Sequence, residues 1–204
     1  MLFIDIDNFK SINDTLGHAF GDQLIKQVGE RLTSLLIVNC CIYRLGGDEF
    51  LIILQDIRRE DDAEKFSSGI LEGFKEVFMI ENSILHISIS IGIAIYPEHG
   101  KNIEELMKSA DIAMYKAKEE GKSKYVLYKE SMNEENKTLI GQIISIGKSM
   151  GLCVIAEGVE TKEQLDYLDQ HKCDKIQGFY FCKPVQEDSI ILLLEEGQRF
   201  KNNI

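Results

Sequence analysis

The sequence has no apolar run long enough to cross a membrane. Its longest apolar stretches, Ile89 to Ile95 and Ile190 to Leu194, fall well short of the roughly 20 residues that a spanning helix needs. The first residues, Met-Leu-Phe-Ile-Asp, lack the basic region and the small-residue cleavage site of a secretion signal. We therefore expect a cytoplasmic chain with no membrane segment.

Paired cysteines and an excess of positive charge are also missing. The five cysteines form an odd set with no C-x-x-C spacing, which favours reduced thiols over a disulfide framework or a zinc site. The formal net charge of −11 argues against a nucleic-acid polymer as partner, because such binding relies on clustered Lys and Arg. A small phosphorylated ligand remains compatible with this charge if a cation accompanies it.

The first 130 residues alternate between strand-like and helical patterns. A short apolar strand opens the chain, a helical repeat follows from Gly21 onward, and two strand-like runs flank a Gly-Gly turn at residues 46–49. This order predicts an α/β sandwich, with helices packed on a mostly antiparallel sheet. The remaining predicted elements are a helix over Asp61–Met79, a strand over Leu85–Tyr96, a helix over Ile103–Glu119 and a strand over Tyr125–Tyr128, and the opening strands are Met1–Ile6, Cys40–Leu45 and Phe50–Leu54.

The composition changes at residue 131. Residues 132–137 are polar and are interpreted as a linker or a frayed helix start, after which helices and strands alternate. Such alternation indicates parallel β/α units, but two strands make only a fragment of a sheet, so residues 131–204 are predicted to be an incomplete domain. The predicted elements are helices over Leu139–Met150, Lys162–Gln170 and Asp188–Phe200, and strands over Leu152–Ala156 and Lys175–Phe181.

Acidic residues follow the first strand and the Gly-Gly turn. Asp5 and Asp7 lie at the end of the first strand, and we expect only one of them to face a shared site. If the hairpin lies beside this strand, Asp48 and Glu49 can converge with Asp5 on Mg²⁺, which prefers oxygen ligands and substrate phosphates. Taken singly, a Gly-Gly hairpin is more often only a turn, and acids at a strand end are more often solvated.

A series of motifs in a fixed order resembles the GGDEF domains of diguanylate cyclases. The agreement in order and spacing extends over nearly all of the first 130 residues. The matching segments are Phe3-Ile4-Asp5-Ile6-Asp7-Asn8-Phe9-Lys10, Ile12-Asn13-Asp14, Gly17-His18, Gly21-Asp22, Tyr43-Arg44-Leu45-Gly46-Gly47-Asp48-Glu49-Phe50, Ser90-Ile91-Gly92-Ile93-Ala94, Ala110-Asp111 and Tyr115-Lys116-Ala117-Lys118.

The resemblance implies a nucleotide-cyclase-like fold with a ferredoxin-like palm, and condensation of two GTP molecules into cyclic di-GMP across a homodimer. By position, Asp5, the carbonyl of Ile6, Asp48 and Glu49 would hold Mg²⁺ or Mn²⁺. Such cations neutralise the charge that develops on the phosphates. The family also carries a helix ahead of its first strand, where this sequence begins, so we expect reduced activity from this chain.

The resemblance also assigns the substrate-binding residues. The catalytic residues would be Asp48, Glu49 and Lys10. The two lysines Lys10 and Lys118 would act at the phosphates. Asn13 and Asp22 would read the guanine edge, and His18 and Lys122 would lie near the nucleotide. Each has a plainer interpretation: Lys10 as a surface lysine, His18 as a turn residue, Asn13 as a helix cap, and Asp22 as an acid complementing the helix dipole.

The tail resembles the C-terminal end of EAL-type cyclic di-GMP phosphodiesterase domains. In complete members Glu157 and Gln177 would help form a two-metal site. A (β/α)₈ barrel needs about 250 residues, so we expect this truncated remnant to have no phosphodiesterase activity and to expose apolar surface. The matching segments are Val154-Ile155-Ala156-Glu157-Gly158-Val159-Glu160-Thr161, Gln177-Gly178-Phe179-Tyr180-Phe181 and Lys183-Pro184.

Three functions remain open at this point. The first is a diguanylate cyclase with intact hairpin carboxylates. The second is a non-catalytic module that binds GTP or a cyclic dinucleotide. The third is a non-functional fragment of a GGDEF-EAL protein, which a missing cooperative unfolding transition would favour.

Overall fold

The computed structural model describes residues 1–36, 39–57 and 59–183. The chain divides into two compact units, Met1–Asn133 and Glu134–Ile204. The sequence interpretation places this division at residue 130. None of the helices in the described part of the chain is long and apolar enough to cross a bilayer.

The first unit is built on a five-stranded sheet. In chain order its elements are β1 (Leu2–Ile6), α1 (Phe9–Leu16), α2 (His18–Leu35), β2 (Cys40–Gly46), β3 (Glu49–Leu54), α3 (Glu60–Gly73), β4 (Phe78–Ile80), β5 (Ser83–Leu85), β6 (Ile89–Ile93), α4 (Ile103–Glu119) and β7 (Tyr125–Leu127). The strand order is β2-β3-β1-β6-β7, and only the β6–β7 pair is parallel. The predicted α/β sandwich with a mostly antiparallel sheet is confirmed.

Helices cover both faces of this sheet, and β1 at its centre is buried along its whole length. On one face, Leu24, Val28 and Leu32 of α2 pack into the main apolar cluster. On the other face, Ala110 and Met114 of α4 pack into a second cluster with strand residues of β1 and β3. The fold therefore supports the end of β1 from both sides.

A glycine in β6 allows α4 to approach the sheet closely. A Cβ atom on Gly92 would lie 1.8 Å from the carbonyl oxygen of Ala110 and 2.3 Å from the amide nitrogen of Met114. Only a residue without a side chain fits between the strand and the helix at this position. This approach brings the C-terminal turn of α4, which carries Lys118, toward the sheet.

Several predicted boundaries in the first unit are wrong. The predicted helix over Asp61–Met79 ends at Gly73, because residues 78–80 pair with β5 in a separate hairpin that turns at Glu81 with a φ of 53°. The predicted strand over Leu85–Tyr96 is reduced to β6. The second helix begins at His18 rather than Gly21, directly after the turn at Gly17.

The second unit holds the remaining helices and a small parallel sheet. Its elements are α5 (Ser131–Ser149), which crosses the division between the units, β8 (Ile155–Ala156), α6 (Lys162–Gln170) and β9 (Lys175–Ile176). Residues 132–137 are helical, which agrees with the second of their two interpretations, a helix start, and not with a linker. Both predicted strands are shorter than expected, and the predicted helix over Asp188–Phe200 lies outside the described residues.

The buried core of the second unit is small. Among the residues of this unit up to 183, it consists of Ile144, Val159, Leu168 and Cys173, with a few half-buried neighbours. On α5, by contrast, Leu139, Ile143 and Ile146 are exposed, Ile146 by 59%. The expectation that this part of the chain exposes apolar surface agrees with these values.

Candidate active site

The hairpin between β2 and β3 lies beside the end of β1. Asp5 and Glu49 are direct partners in the antiparallel β1–β3 register, and the amide of Ile6 donates a hydrogen bond to the carbonyl of Asp48 at 3.3 Å. The turn itself is held by Arg44, whose guanidinium donates two hydrogen bonds, of 3.1 and 2.8 Å, to the carbonyl of Gly47. The predicted convergence of the strand end and the hairpin is thus present in the structure.

Asp5 is a buried carboxylate with one satisfied oxygen. Its Oδ2 lies 2.7 Å from Nζ of Lys118, whereas its Oδ1 is buried and has no hydrogen-bond partner among the described residues. The pKa of Asp5 is raised to about 6: burial is the largest cause, Lys118 opposes it, and the charges of Asp48 and Glu49 add to the increase. A buried carboxylate with an unsatisfied oxygen is a natural position for a cation.

Two further acids share this electrostatic environment. Burial raises the pKa of Glu49, and the negative charges of Asp111 and Asp48 contribute, with Lys118 acting in the opposite direction. Burial likewise raises the pKa of Asp111, on α4. The sequence analysis quoted Asp111 within a motif but did not place it at the site. Its spacing of seven residues from Lys118, two turns along the same helix, was the available signal.

The donor set fits a hard divalent cation that also binds a phosphate-bearing substrate. Among residues 1–36, 39–57 and 59–183, no group of three or more His, Cys, Asp or Glu side chains is arranged to hold a metal by itself. Mg²⁺ does not require such a set, since it is usually held by one or two carboxylates together with substrate phosphates and water. The unpaired Oδ1 of Asp5, opposite Glu49, meets that requirement.

Asp7 has a different environment from Asp5. It is only 4% exposed, and its carboxylate accepts hydrogen bonds from the hydroxyls of Ser88 and Ser90 at 2.6 and 2.7 Å and from the amide of Ser123 at 3.2 Å. Both of its oxygens are therefore engaged by protein donors. Of the two acids in this motif, Asp5 is the one with an oxygen left for a ligand.

The predicted guanine-binding residues lie where α1 meets α2. The side-chain oxygen of Asn13 is buried and has no partner in the described part of the chain. A Cβ atom on Gly21 would lie 1.8 Å from this oxygen, so the glycine makes room for it. Asp22 follows on the exposed side of α2, and His18 is the exposed first residue of that helix.

The predicted phosphate-binding lysines differ in their contacts. Lys118 is partly buried and pairs with Asp5, and Lys10 is exposed in the first turn of α1. Lys122 donates a hydrogen bond of 2.7 Å to the side-chain oxygen of Asn8, in the turn after β1. Lys118 therefore contacts the carboxylate cluster directly, whereas Lys122 contacts the neighbouring turn.

Comparison with known proteins identifies this fold. Residues 1–124 match the family described as the GGDEF domain of diguanylate cyclase, and residues 124–184 match the EAL domain family. Because the first match covers more than half of the chain, the protein belongs to the GGDEF diguanylate cyclase family.

Individual relatives and a solved structure agree with this assignment. The chain is 46% identical over 143 residues to signaling protein YkoW of Bacillus subtilis, covering 70% of this chain and 18% of the relative. It is 40% identical over 133 residues to MucR of Pseudomonas aeruginosa, a bifunctional diguanylate cyclase/cyclic di-GMP phosphodiesterase, covering 65% of this chain and 19% of MucR. The isolated GGDEF domain of TpbB from Pseudomonas aeruginosa superposes with a TM-score of 0.64 at 35% identity, covering 67% of this chain and 80% of that chain. The chain thus spans about a fifth of the length of these two curated relatives.

Proposed function

We propose that the first unit is a diguanylate cyclase domain that joins two GTP molecules into cyclic di-GMP. The observation that carries this proposal is the buried, half-satisfied carboxylate of Asp5, held between Glu49 of the hairpin and Lys118 of α4. The family assignment and the relatives named as diguanylate cyclases support it. Each domain binds one nucleotide, so the proposal includes a homodimer in which two such sites meet.

The carboxylates of Asp5, Asp48 and Glu49, with the carbonyl of Ile6, are the proposed ligands of Mg²⁺ or Mn²⁺. When bound, the cation supplies charge neutralisation at the phosphates and lowers the pKa of an attacking hydroxyl. Burial of Asp5 and Glu49 raises the pKa of both groups in the ligand-free chain, so these acids gain most from a nearby positive charge. In the ligand-free protein this pair of carboxylates is therefore unfavourable, and binding of substrate and cation together would remove the unfavourable interaction.

The lysines are proposed to bind the phosphates. Lys118 provides the positive charge next to Asp5 in the ligand-free chain, and its partly buried ammonium lies where a phosphate oxygen would meet the carboxylate cluster. Lys10, in the first turn of α1, can add a second positive charge from the exposed side. We assign Lys122 a weaker role, since its ammonium already binds Asn8.

Selectivity for guanine is proposed to rest on Asn13 and Asp22, with His18 close to the nucleotide. An aspartate can accept from both the N1 and N2 donors of guanine, whereas adenine has no such donor pair. The buried and unpartnered oxygen of Asn13 needs a donor, which a bound base edge would supply. Asp22→Ala should therefore reduce the preference for GTP over ATP, and an unchanged preference would contradict the assignment.

We propose that the second unit has no phosphodiesterase activity of its own. In its described residues the parallel pair β8–β9 brings the ends of two strands together, next to Glu157 and Gln177. A closed (β/α)₈ barrel has eight parallel strands, whereas the described residues of the second unit form one parallel pair.

The test uses the purified chain with GTP and Mg²⁺, alongside Asp48→Ala. Nucleotides are separated by chromatography and identified by mass. We expect cyclic di-GMP from the parent chain and at least 100-fold less from the variant, about the loss typical of removing a group that stabilises transition-state charge. Equal turnover by both proteins would refute the proposed metal site.

A second function is a GTP-binding module without turnover. It is favoured by the absence of a three-acid metal set within the described residues, and by the fact that Lys118 already neutralises Asp5. Calorimetric titration with GTP in the same buffer separates the two functions. Binding without product would favour the module, and neither binding nor product would leave a fragment with no nucleotide function.

A further inference from the structure

A carboxylate outside the proposed metal site joins three separate segments of the first unit. Asp7 follows β1, Ser88 and Ser90 belong to the start of β6 and the residues before it, and Ser123 lies in the loop between α4 and β7. The hydrogen bonds connect residues 81 to 116 positions apart in the sequence. Asp7 is thus a tertiary link between the strand that carries Asp5 and the end of the helix that carries Lys118.

The loop that Asp7 binds has an unusual backbone. Three successive residues, Gly121, Lys122 and Ser123, have positive φ values of 108°, 63° and 52°. Residues other than glycine adopt this region uncommonly, and the surrounding structure must hold them there. The Asp7 carboxylate accepts a hydrogen bond from the amide of Ser123. The carbonyl of the next residue, Lys124, accepts a hydrogen bond of 2.9 Å from the amide of Ile91.

This loop also fixes the last turn of α4. The amide of Lys122 donates a hydrogen bond of 3.0 Å to the carbonyl of Ala117, the residue directly before Lys118. A shift of the loop would therefore shift the turn from which the Lys118 side chain projects. Because the Lys118–Asp5 contact is only 2.7 Å long, a displacement of about 1 Å would open it.

We propose that Asp7 is a positioning residue for the cyclase site, which holds the α4–β7 loop so that Lys118 meets Asp5 and the substrate phosphates. The expected effect on GTP binding rests on the proposed function. The link itself rests on the hydrogen bonds of Asp7. Both oxygens of Asp7 accept hydrogen bonds from protein donors, so the proposed role is indirect. Charge-assisted hydrogen bonds to a buried carboxylate are short and directional, which suits a link that must fix position.

The central experiment is a double-mutant cycle between Asp7→Asn and Lys118→Ala. The amide of Asn cannot accept from all three donors, so the variant breaks the link with little change in shape. Affinity for GTP with Mg²⁺ is measured by calorimetry, and turnover is measured where product forms. We expect Asp7→Asn to weaken binding about 10- to 100-fold in the parent chain, but less than about threefold when Lys118 is already Ala. An equal loss in both backgrounds, or no loss in the parent, would overturn the proposal.

A milder pair of variants covers the case in which Asp7→Asn does not fold. Ser90→Ala removes one donor to Asp7, and Ser67→Ala is the matched control, because Ser67 is equally buried but donates only to the carbonyl of Ala63 within α3. We expect Ser90→Ala to weaken GTP binding several-fold and Ser67→Ala to leave it unchanged. Equal effects of the two substitutions would show that Ser90 acts through general packing and would contradict the proposal.

Amide hydrogen exchange tests the link without relying on nucleotide chemistry. In Asp7→Asn, or in Ser90→Ala if the former does not fold, exchange over residues 117–124 should accelerate at least tenfold while α2 and β3 keep their protection. Unchanged exchange in this segment would overturn the positioning role even if the parent chain turns over GTP. Accelerated exchange in a chain that never binds GTP would instead leave the link standing and refute the proposed function.

Discussion

The two units of this chain differ in how completely their apolar residues are covered. In the first unit, β1 is buried along its length between helices on both faces of the sheet. In the described part of the second, four residues form the buried core, while α5 exposes a row of large apolar side chains. An unsatisfied carboxylate such as Asp5 costs folding free energy, and only a unit with a large core can tolerate it. The proposed site accordingly lies in the first unit.

The sharpest way to test this comparison is to remove the costly carboxylate. Asp5→Asn should lower GTP turnover by at least 100-fold, because the proposed cation loses a ligand. The same change should increase the free energy of unfolding in metal-free buffer at pH 8, by up to about 3 kcal/mol for a pKa raised from 3.8 to about 6. Turnover assays and urea denaturation measure the two effects.

The size of the stability effect depends on pH. Between pH 3.8 and about 6 the folded chain binds the Asp5 proton more tightly than the unfolded chain does. The free energy of unfolding of the parent chain therefore falls as the pH rises through this window. The advantage of Asp5→Asn should therefore be full above about pH 7 and should disappear below pH 4. A variant less stable than the parent at pH 8 would contradict the assigned environment of Asp5.

Truncation of apolar side chains should distinguish the two units directly. Ile4 is fully buried in β1, so Ile4→Ala should cost about 2–5 kcal/mol of unfolding free energy. Ile146 on α5 is 59% exposed, and Ile146→Ala should change stability by less than about 0.5 kcal/mol. Chemical denaturation of both variants makes the comparison, and equal losses would show that α5 is covered in solution.

Filling the space beside Asn13 should weaken GTP binding. Gly21→Ala would place a Cβ atom 1.8 Å from the buried oxygen of Asn13, which must then move. We expect affinity for GTP to fall about tenfold, with the melting temperature changing less than in Ile4→Ala. Gly29→Ala is the matched control on the same helix, since its Cβ would make only an ordinary contact of 3.7 Å with Phe50.

A smaller effect is expected on the pH dependence of turnover. Burial raises the pKa of Asp5 to about 6 and also raises that of Glu49, so both acids bind protons in competition with the cation at a higher pH than ordinary carboxyl groups do. At subsaturating Mg²⁺, turnover should fall progressively from pH 7 to pH 5, and added Mg²⁺ should restore part of it. A flat profile over this range at low Mg²⁺ would argue against carboxylate ligation.

Removal of the second unit should have the smallest effect on catalysis. A chain ending at Asn133 keeps every residue of the proposed site, and an isolated GGDEF domain of TpbB has been solved as a structure of its own. We expect GTP turnover within about twofold of the full chain, together with less self-association, because the exposed apolar row of α5 is gone. Light scattering and turnover assays, compared at matched concentration, measure both. A large loss of turnover would assign α5 a role in pairing two cyclase units.

The sequence by itself determined the family, most of the order of the elements and a set of candidate site residues. Helix α4 was predicted with its observed bounds because its cap, apolar spacing and terminal glycine agree. The β4–β5 hairpin was missed, since its residues continue an apolar pattern that also suits a helix, and only pairing between the two strands distinguishes them. Tertiary contacts override local preference at such short segments.

Only the tertiary structure decided which of two similar acids is available to a ligand. Asp5 lies in β1 and Asp7 directly follows this strand, two residues further along the chain. Residues at this spacing share a face of an extended strand, so the sequence pattern did not distinguish them. Their difference comes from distant partners: Lys118 leaves one oxygen of Asp5 unpaired, whereas Ser88, Ser90 and Ser123 engage both oxygens of Asp7. Burial and hydrogen bonding depend on residues far along the chain, and the folded arrangement alone brings those residues together.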